Sequence, residues 1–197
     1  MFRYYIIYKP YNVLSQFTSG DGKKTLKNFF SIPSDVYPVG RLDYDSEGLL
    51  ILTDDHFLNH QLLHPVHEHE REYIVQVEGN ISVNAVEELK KGVLINLKGK
   101  RYTTKKCFAE KIEQPPFVPE RIPPVRFRKN VPDSWLRIIL TEGKNRQVRK
   151  MAAKAGFPTL RLIRYRIEGV TLSHLQPGEM KSLSRPEIYN LLKIHKR

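Results

Sequence analysis

The sequence predicts an α+β fold. Strand-like segments outnumber helical ones, the helical segments carry their own capping signals, and the two halves of the chain differ in charge as two lobes would. Seven segments have the β-branched and aromatic content of strands: YYIIYK (4–9), GLLILT (48–53), EYIVQVE (72–78), GVLINL (92–97), KCFAEKI (106–112), WLRIIL (135–140) and TLRLIRYRI (159–167). Three more read as helices. Ser82 can cap one through about Lys91, with Val83, Val86 and Leu89 on one face and Gly92 ending it. Asn145 can cap a second, whose buried stripe is Val148, Met151, Ala152 and Ala155 before Gly156. Ser184-Arg-Pro-Glu187 reads as the capping box of a terminal helix, with Ile188, Leu191 and Leu192 as its apolar contacts and a basic end at 193–197 that suits the helix dipole.

At 197 residues the chain can bury a core without disulfides. Its only cysteine, Cys107, has no partner in the sequence and reads as a buried thiol in a reducing compartment. The longest early apolar run ends at Lys9-Pro10, far short of the roughly 20 residues of a membrane span or the roughly 7–15 of a signal core, so the cytoplasm is the expected location and no membrane the expected partner. Basic residues outnumber acidic ones 33 to 21, giving +12, which points to a polyanion. The excess is confined: residues 1–97 hold 9 basic and 13 acidic side chains, residues 98–197 hold 24 and 8. Without a long basic amphipathic helix, nucleic acid fits this pattern better than a membrane surface.

Two connections stand out. Segment 15–24 (SQFTSGDGKK) is polar and glycine-containing, and reads as mobile. Segment 114–132 holds six prolines, so it should run extended between the lobes without ladder hydrogen bonds. Its cations Arg121, Arg126, Arg128 and Lys129 make it either a stiff connector or an arm that contacts the polyanion.

The segment PVGRLDYDSEGLLILTDD (38–55) carries the densest chemistry. Asp43, Asp45, Glu47, Gly48 and Asp54 fall on positions 1, 3, 5, 6 and 12 of a calcium-loop template. The flanks oppose that reading, because Pro33, Pro38 and Gly40 stand where an entering helix would run and GLLILT reads as a strand. Two readings of Asp43 remain open from spacing: an aspartate that closes a bend, or a carboxylate held on a rigid turn beside Arg41 for catalysis.

This segment resembles the G-R-L-D…S/T-x-G-L-L/V signature of the RsuA family of pseudouridine synthases. Three further segments follow in the family's order: YKPYNVLSQF (8–17) is similar to its K-P-x-G-V opening, EREYIVQVEG (70–79) to its E-K-x-Y-x-V strand, and LTEGKNRQVRKM (140–151) to its E-G-K/R-N-R-Q-V-R-R/K-M motif. PPFVPERIPPVRFRKNVPDSW with GFPTLRLIRY resembles most the RluE-type branch. The resemblance implies a mixed, mainly antiparallel central sheet flanked by helices, with two lobes around a cleft. It also implies isomerisation of a uridine to pseudouridine without cofactor or metal, in 23S ribosomal RNA or a large-subunit assembly intermediate, by a monomer. Asp43 would be the catalytic aspartate, Arg41 would hold the flipped nucleotide, Tyr73 would stack on the base, Arg149 would pair with the aspartate and favour its charged form, and Leu162 would pack near the base. Lys144, Asn145 and Arg146 belong to the same substrate-binding set. With Lys150 at helical spacing, Arg146 and Arg149 give a cationic face suited to phosphates, to which Lys154 and Arg161 would add.

There are departures from the family pattern. Tyr11 stands at the usual glycine, Arg71 at the usual lysine, and TDDH (53–56) replaces T-N-D-G. Family members usually carry an N-terminal S4 domain, whereas here the first catalytic strand starts at Tyr4, so the expected organisation is one catalytic domain over 1–197. His64, His67 and His69 invite a metal, but no fourth ligand is evident and the 67/69 alternation suits an extended segment. The reading from another class is a non-catalytic RNA-binding or ribosome-assembly module with the same basic face.

Overall fold

The computed structural model describes residues 2–126, 129, 131–172 and 174–194. In chain order its elements are β1 (Tyr4–Lys9), β2 (Tyr37–Pro38), β3 (Glu47–Thr53), α1 (His56–Leu63), β4 (Arg71–Glu78), α2 (Val83–Lys91), β5 (Leu94–Leu97), β6 (Lys100–Thr103), β7 (Phe108–Ile112), β8 (Asp133–Leu140), α3 (Gln147–Lys154), β9 (Thr159–Ile167), β10 (Val170–Thr171), β11 (Met180–Leu183) and α4 (Arg185–Leu191). Strand β1 pairs antiparallel with β3 and β11, β8 with β4 and β7, and β5 with β6, which gives the mainly antiparallel α+β architecture expected. Two compact units form: Met1–His69 with Arg164–Arg197, and Glu70–Ile163. This division corrects the expectation of an N-terminal and a C-terminal lobe, because β11 hydrogen-bonds along β1 from Tyr4↔Leu183 to Ile7↔Met180 and so recruits the C-terminus to the first unit. The described residues of segment 114–132 fall within the span of the second unit.

In the first unit the strand order is β11-β1-β3-β9. All seven residues of β3 are buried, which explains why GLLILT is continuously apolar instead of alternating. Ile7, Val13, Leu26, Val36, Leu50 and Leu52 build the core beside it. Helix α1, absent from the sequence reading, begins at Asp55, whose carboxylate accepts from Phe57 N (3.0 Å) and Leu58 N (3.2 Å). The same carboxylate accepts the hydroxyls of Tyr4 (2.7 Å) and Tyr189 (2.6 Å), tying β1 and α4 to the start of α1. Burial alone would raise the Asp55 pKa, but these donors outweigh it and the shift is downward. The capping box of α4 is present as expected. Its buried contacts are Ile188, Tyr189 and Leu192, while Leu191 faces solvent. Of the basic end at 193–197, residues 195–197 lie outside the described residues.

In the second unit the order is β9-β4-β8-β7, with β5 and β6 forming a separate hairpin. Helix α2 is capped by Ser82 and ended by Gly92 as expected, but Val83 is 77% exposed and Ala85 takes its place beside Val86 and Leu89. Strand β5 starts two residues later than expected because Val93 N bonds the Thr104 hydroxyl (2.9 Å). Strand β7 starts at Phe108 because Cys107 N bonds Lys90 O (3.0 Å). The Cys107 thiol is half-buried, not fully buried, and donates to Leu89 O at 3.2 Å. Burial pushes its pKa up to about 11. No helix of the described residues is long and apolar enough to cross a membrane.

Candidate active site

Backbone anchoring defines the surroundings of Asp43. Val39 N bonds Ile51 O (2.8 Å), seating the strand before the motif on β3. Three residues on, the buried Leu42 is held by the Ser15 side chain, and Ser46 N then bonds Asp43 O (3.0 Å) to close a turn over Tyr44 and Asp45. The bend is closed there main chain to main chain. Chain leaving the turn enters β3 at the buried Glu47. Gly48 follows at φ +110, where a Cβ would come within 2.3 Å of Arg164 O, and the Arg164 Nε donates to Leu49 O at 2.8 Å. Asp43, half-buried, therefore has rigid backbone on both sides. Arg41, two residues before it, is exposed.

Lys9 completes this corner of the first unit. It is fully buried at the end of β1, in register with Gly48, and its Nζ donates to Val13 O (2.7 Å) and Pro10 O (3.0 Å). Burial pushes its pKa down to about 7, opposed by attraction to Glu47, Asp45 and Asp43 and reinforced by Arg164. Neither Lys9 nor Ser15 was singled out as a site residue from sequence. Lys9 did carry a signal, a charge ending an apolar strand run.

The second unit holds Tyr73, Lys144, Asn145, Arg146, Arg149 and Leu162. Tyr73 lies on β4 opposite Ile138, half-buried against the apolar cluster that contains Leu162. Asn145 does not cap α3. Arg146 occupies the N-cap in the left-handed conformation (φ 52), and Gln147 instead fixes the approach by accepting Lys144 N (2.9 Å). Lys144, Asn145 and Arg146 are exposed, Arg149 and Lys150 half-buried, and an Arg149 Nη reaches Thr159 O at 3.5 Å. Arg161 leaves the expected cationic face, since it is buried and donates to Pro119 O (2.7 Å).

The calcium template fails on distance. Seven residues of extended β3 separate Asp54 from the turn by about 20 Å of chain. Asp54 instead takes the Arg3 side chain, Nε at 2.9 Å. The His-rich segment is not extended: Pro65–His67 forms a 3₁₀ turn and Glu68 is left-handed, while His69 Nδ1 lies 3.3 Å from Glu168. Among the described residues no group of three or more His, Cys, Asp or Glu is placed to hold a metal ion. In segment 114–132, Arg121 bonds Leu160 O (3.3 Å) and Pro123 O (2.9 Å), which ties it to the second unit; Arg128 lies outside the described residues.

Comparison with known proteins agrees with the motif order. Residues 3–154 match the family model described as RNA pseudouridylate synthase. The chain is 49% identical over 181 residues to the ribosomal large subunit pseudouridine synthase E of Vibrio vulnificus, covering 92% of this chain and 75% of that protein. It is 47% identical over 178 residues to the protein of the same name from Xanthomonas campestris, covering 89% and 92%. A solved structure described as a pseudouridylate synthase aligns with a TM-score of 0.76 at 28% identity, over 97% of this chain and 74% of that one.

Proposed function

The chain belongs to the RNA pseudouridylate synthase family, and from that membership we propose that it isomerises one uridine of large-subunit ribosomal RNA with Asp43 as its catalytic carboxylate. The observation that carries the substrate is the 47–49% identity to two relatives named for the large ribosomal subunit, over most of their own lengths. In the reaction the N1–C1′ bond breaks, the base turns, and C5 joins C1′; the proton lost from C5 balances the one gained at N1. No cofactor is consumed, and a monomer in the cytoplasm suffices.

Asp43 opens the reaction by attacking the nucleotide or by taking a ribose proton. Both need an ionised carboxylate on fixed backbone, as the Ser15 and Ser46 contacts supply. The target must leave its stack, at a cost of a few kcal/mol. Stacking on Tyr73, apolar contact with Leu162, and phosphate contacts from Arg41, Lys144, Asn145 and Arg146 offset that cost in this reading, with Arg149 as the partner of the aspartate.

The test is carbodiimide mapping of ribosomal RNA from cells with and without the gene. One reverse-transcription stop should vanish with the gene and return with wild type but not with Asp43→Asn, which keeps its RNA affinity and salt dependence. Should every stop persist without the gene, a non-catalytic RNA-binding or ribosome-assembly role is what remains.

A further inference from the structure

We propose that the β5–β6 hairpin is an arm that grips the sugar-phosphate backbone of the substrate RNA, fastened to the Lys144–Arg146 loop through Glu142. This rests on the RNA-modifying reading above.

Charge singles out the hairpin. Between Leu89 and Ala109 the chain has seven Lys and Arg residues and no acid. Lys98, Lys100, Arg101 and Lys106 are exposed and make no ion pair or side-chain hydrogen bond among the described residues. A solvated face normally mixes signs, and stacking like charges on one short ribbon is unfavourable unless a polyanion meets them. The turn adds a second sign. Leu97 pairs with Lys100 across a two-residue turn in which Lys98 (φ 52) and Gly99 (φ 82) are both left-handed. Asn, Asp or Gly is the usual occupant of the first position. Lysine there sets a cation at the tip, against the conformational preference.

Holding such a ribbon takes anchoring, since two four-residue strands are not stable alone. Ile95 is buried in the apolar cluster, and Leu97 and Tyr102 pack against it. The Tyr102 hydroxyl donates to Glu142, which also accepts Lys105 N (2.9 Å) and Gln147 Nε2 (2.6 Å). Gln147 Oε1 accepts Lys144 N, and the Lys144 ammonium lies 5.2 Å from the centre of the Tyr102 ring. One buried carboxylate thus fixes the hairpin to the start of α3, and brings Lys144 of that loop against the hairpin's Tyr102. Lysines and an arginine without exposed aromatics between them suit phosphates, not base edges, so the arm should add affinity without reading sequence.

The experiment measures steady-state isomerisation of a ribosomal RNA fragment by the full chain, wild type against Lys98→Gln/Lys100→Gln/Arg101→Gln, at several salt concentrations. The expected result is a KM raised about tenfold or more, kcat kept, and a log–log salt slope shallower by roughly 2–3, since each lost phosphate contact removes about 0.7–0.9. Lys27→Gln/Lys181→Gln, which removes exposed cations elsewhere, should leave the slope unchanged. The proposal is overturned if a folded hairpin variant keeps the wild-type KM and slope, or if the control flattens the slope as much per charge. Wild type that isomerises no uridine would instead sink the functional reading, and direct binding titrations of the same variants would still decide the arm.

Discussion

Ser15 closes on the backbone of Leu42 from both sides: its hydroxyl donates to the Leu42 carbonyl at 2.8 Å and accepts the Leu42 amide at 3.0 Å. Both residues are buried, and Asp43 is the next residue in the chain. The segment expected to be mobile thus begins with a fixed point for the proposed catalytic residue.

Ser15→Ala would leave a buried amide and a buried carbonyl unpaired at once. Stability should fall by about 2 kcal/mol in urea denaturation. A carboxylate whose supporting backbone shifts loses more rate than binding, so kcat should drop about tenfold or more with KM little changed. Equal kcat values for the folded variant and wild type would show that the bridge serves stability alone.

Gly48→Ala tests the other side of the turn. The added Cβ would meet Arg164 O at 2.3 Å and Arg164 N at 2.7 Å, backbone atoms that cannot rotate away, and φ +110 is strained for any side chain. A loss above about 3 kcal/mol is expected, from strain and from displacement of Arg164 from Leu49. Gly20→Ala, with nothing within 4 Å, should cost little, and a similar loss in both would point to a general glycine effect.

How much of this was legible in the sequence depends on the range of the interaction. Strands β1 and β9 start and end where their apolar, β-branched runs do, because burial in a sheet is written into every residue of the run. The start of α3 was misplaced by a local rule: Asn145 is a good cap, but buried bonds from Gln147 to Glu142 and Lys144 N fix the chain one residue later, with Arg146 left-handed. Asp43 and its proposed partners were found through ordered motifs, each a contiguous string. Ser15 was given no role although it stands within the string YKPYNVLSQF, since its contact spans 27 residues and nothing in the string shows its partner. The recruitment of the C-terminal strand β11 onto β1 was hidden for the same reason.

Lys9 gives the fold a pH dependence that can be signed. Its pKa lies near 7 in the folded protein and at its ordinary 10.5 in the unfolded chain, because the buried ammonium has lost water and kept only two carbonyl partners and three neighbouring carboxylates, with Arg164 opposing. Between those values the unfolded chain binds more protons than the folded one, so stability rises with pH through that window; below 7 both carry the proton and Lys9 contributes no further slope. A full window unit corresponds to about 1.4 kcal/mol. Wild type should therefore gain about 2 kcal/mol relative to Lys9→Met between pH 7 and 9, read from urea denaturation of both proteins at each pH. Lys9→Met should itself be flat there as far as this site is concerned, since its side chain cannot titrate. If the difference between the two proteins stays constant to pH 9, the ammonium keeps its proton in the fold, and attraction to Glu47, Asp45 and Asp43 outweighs its burial.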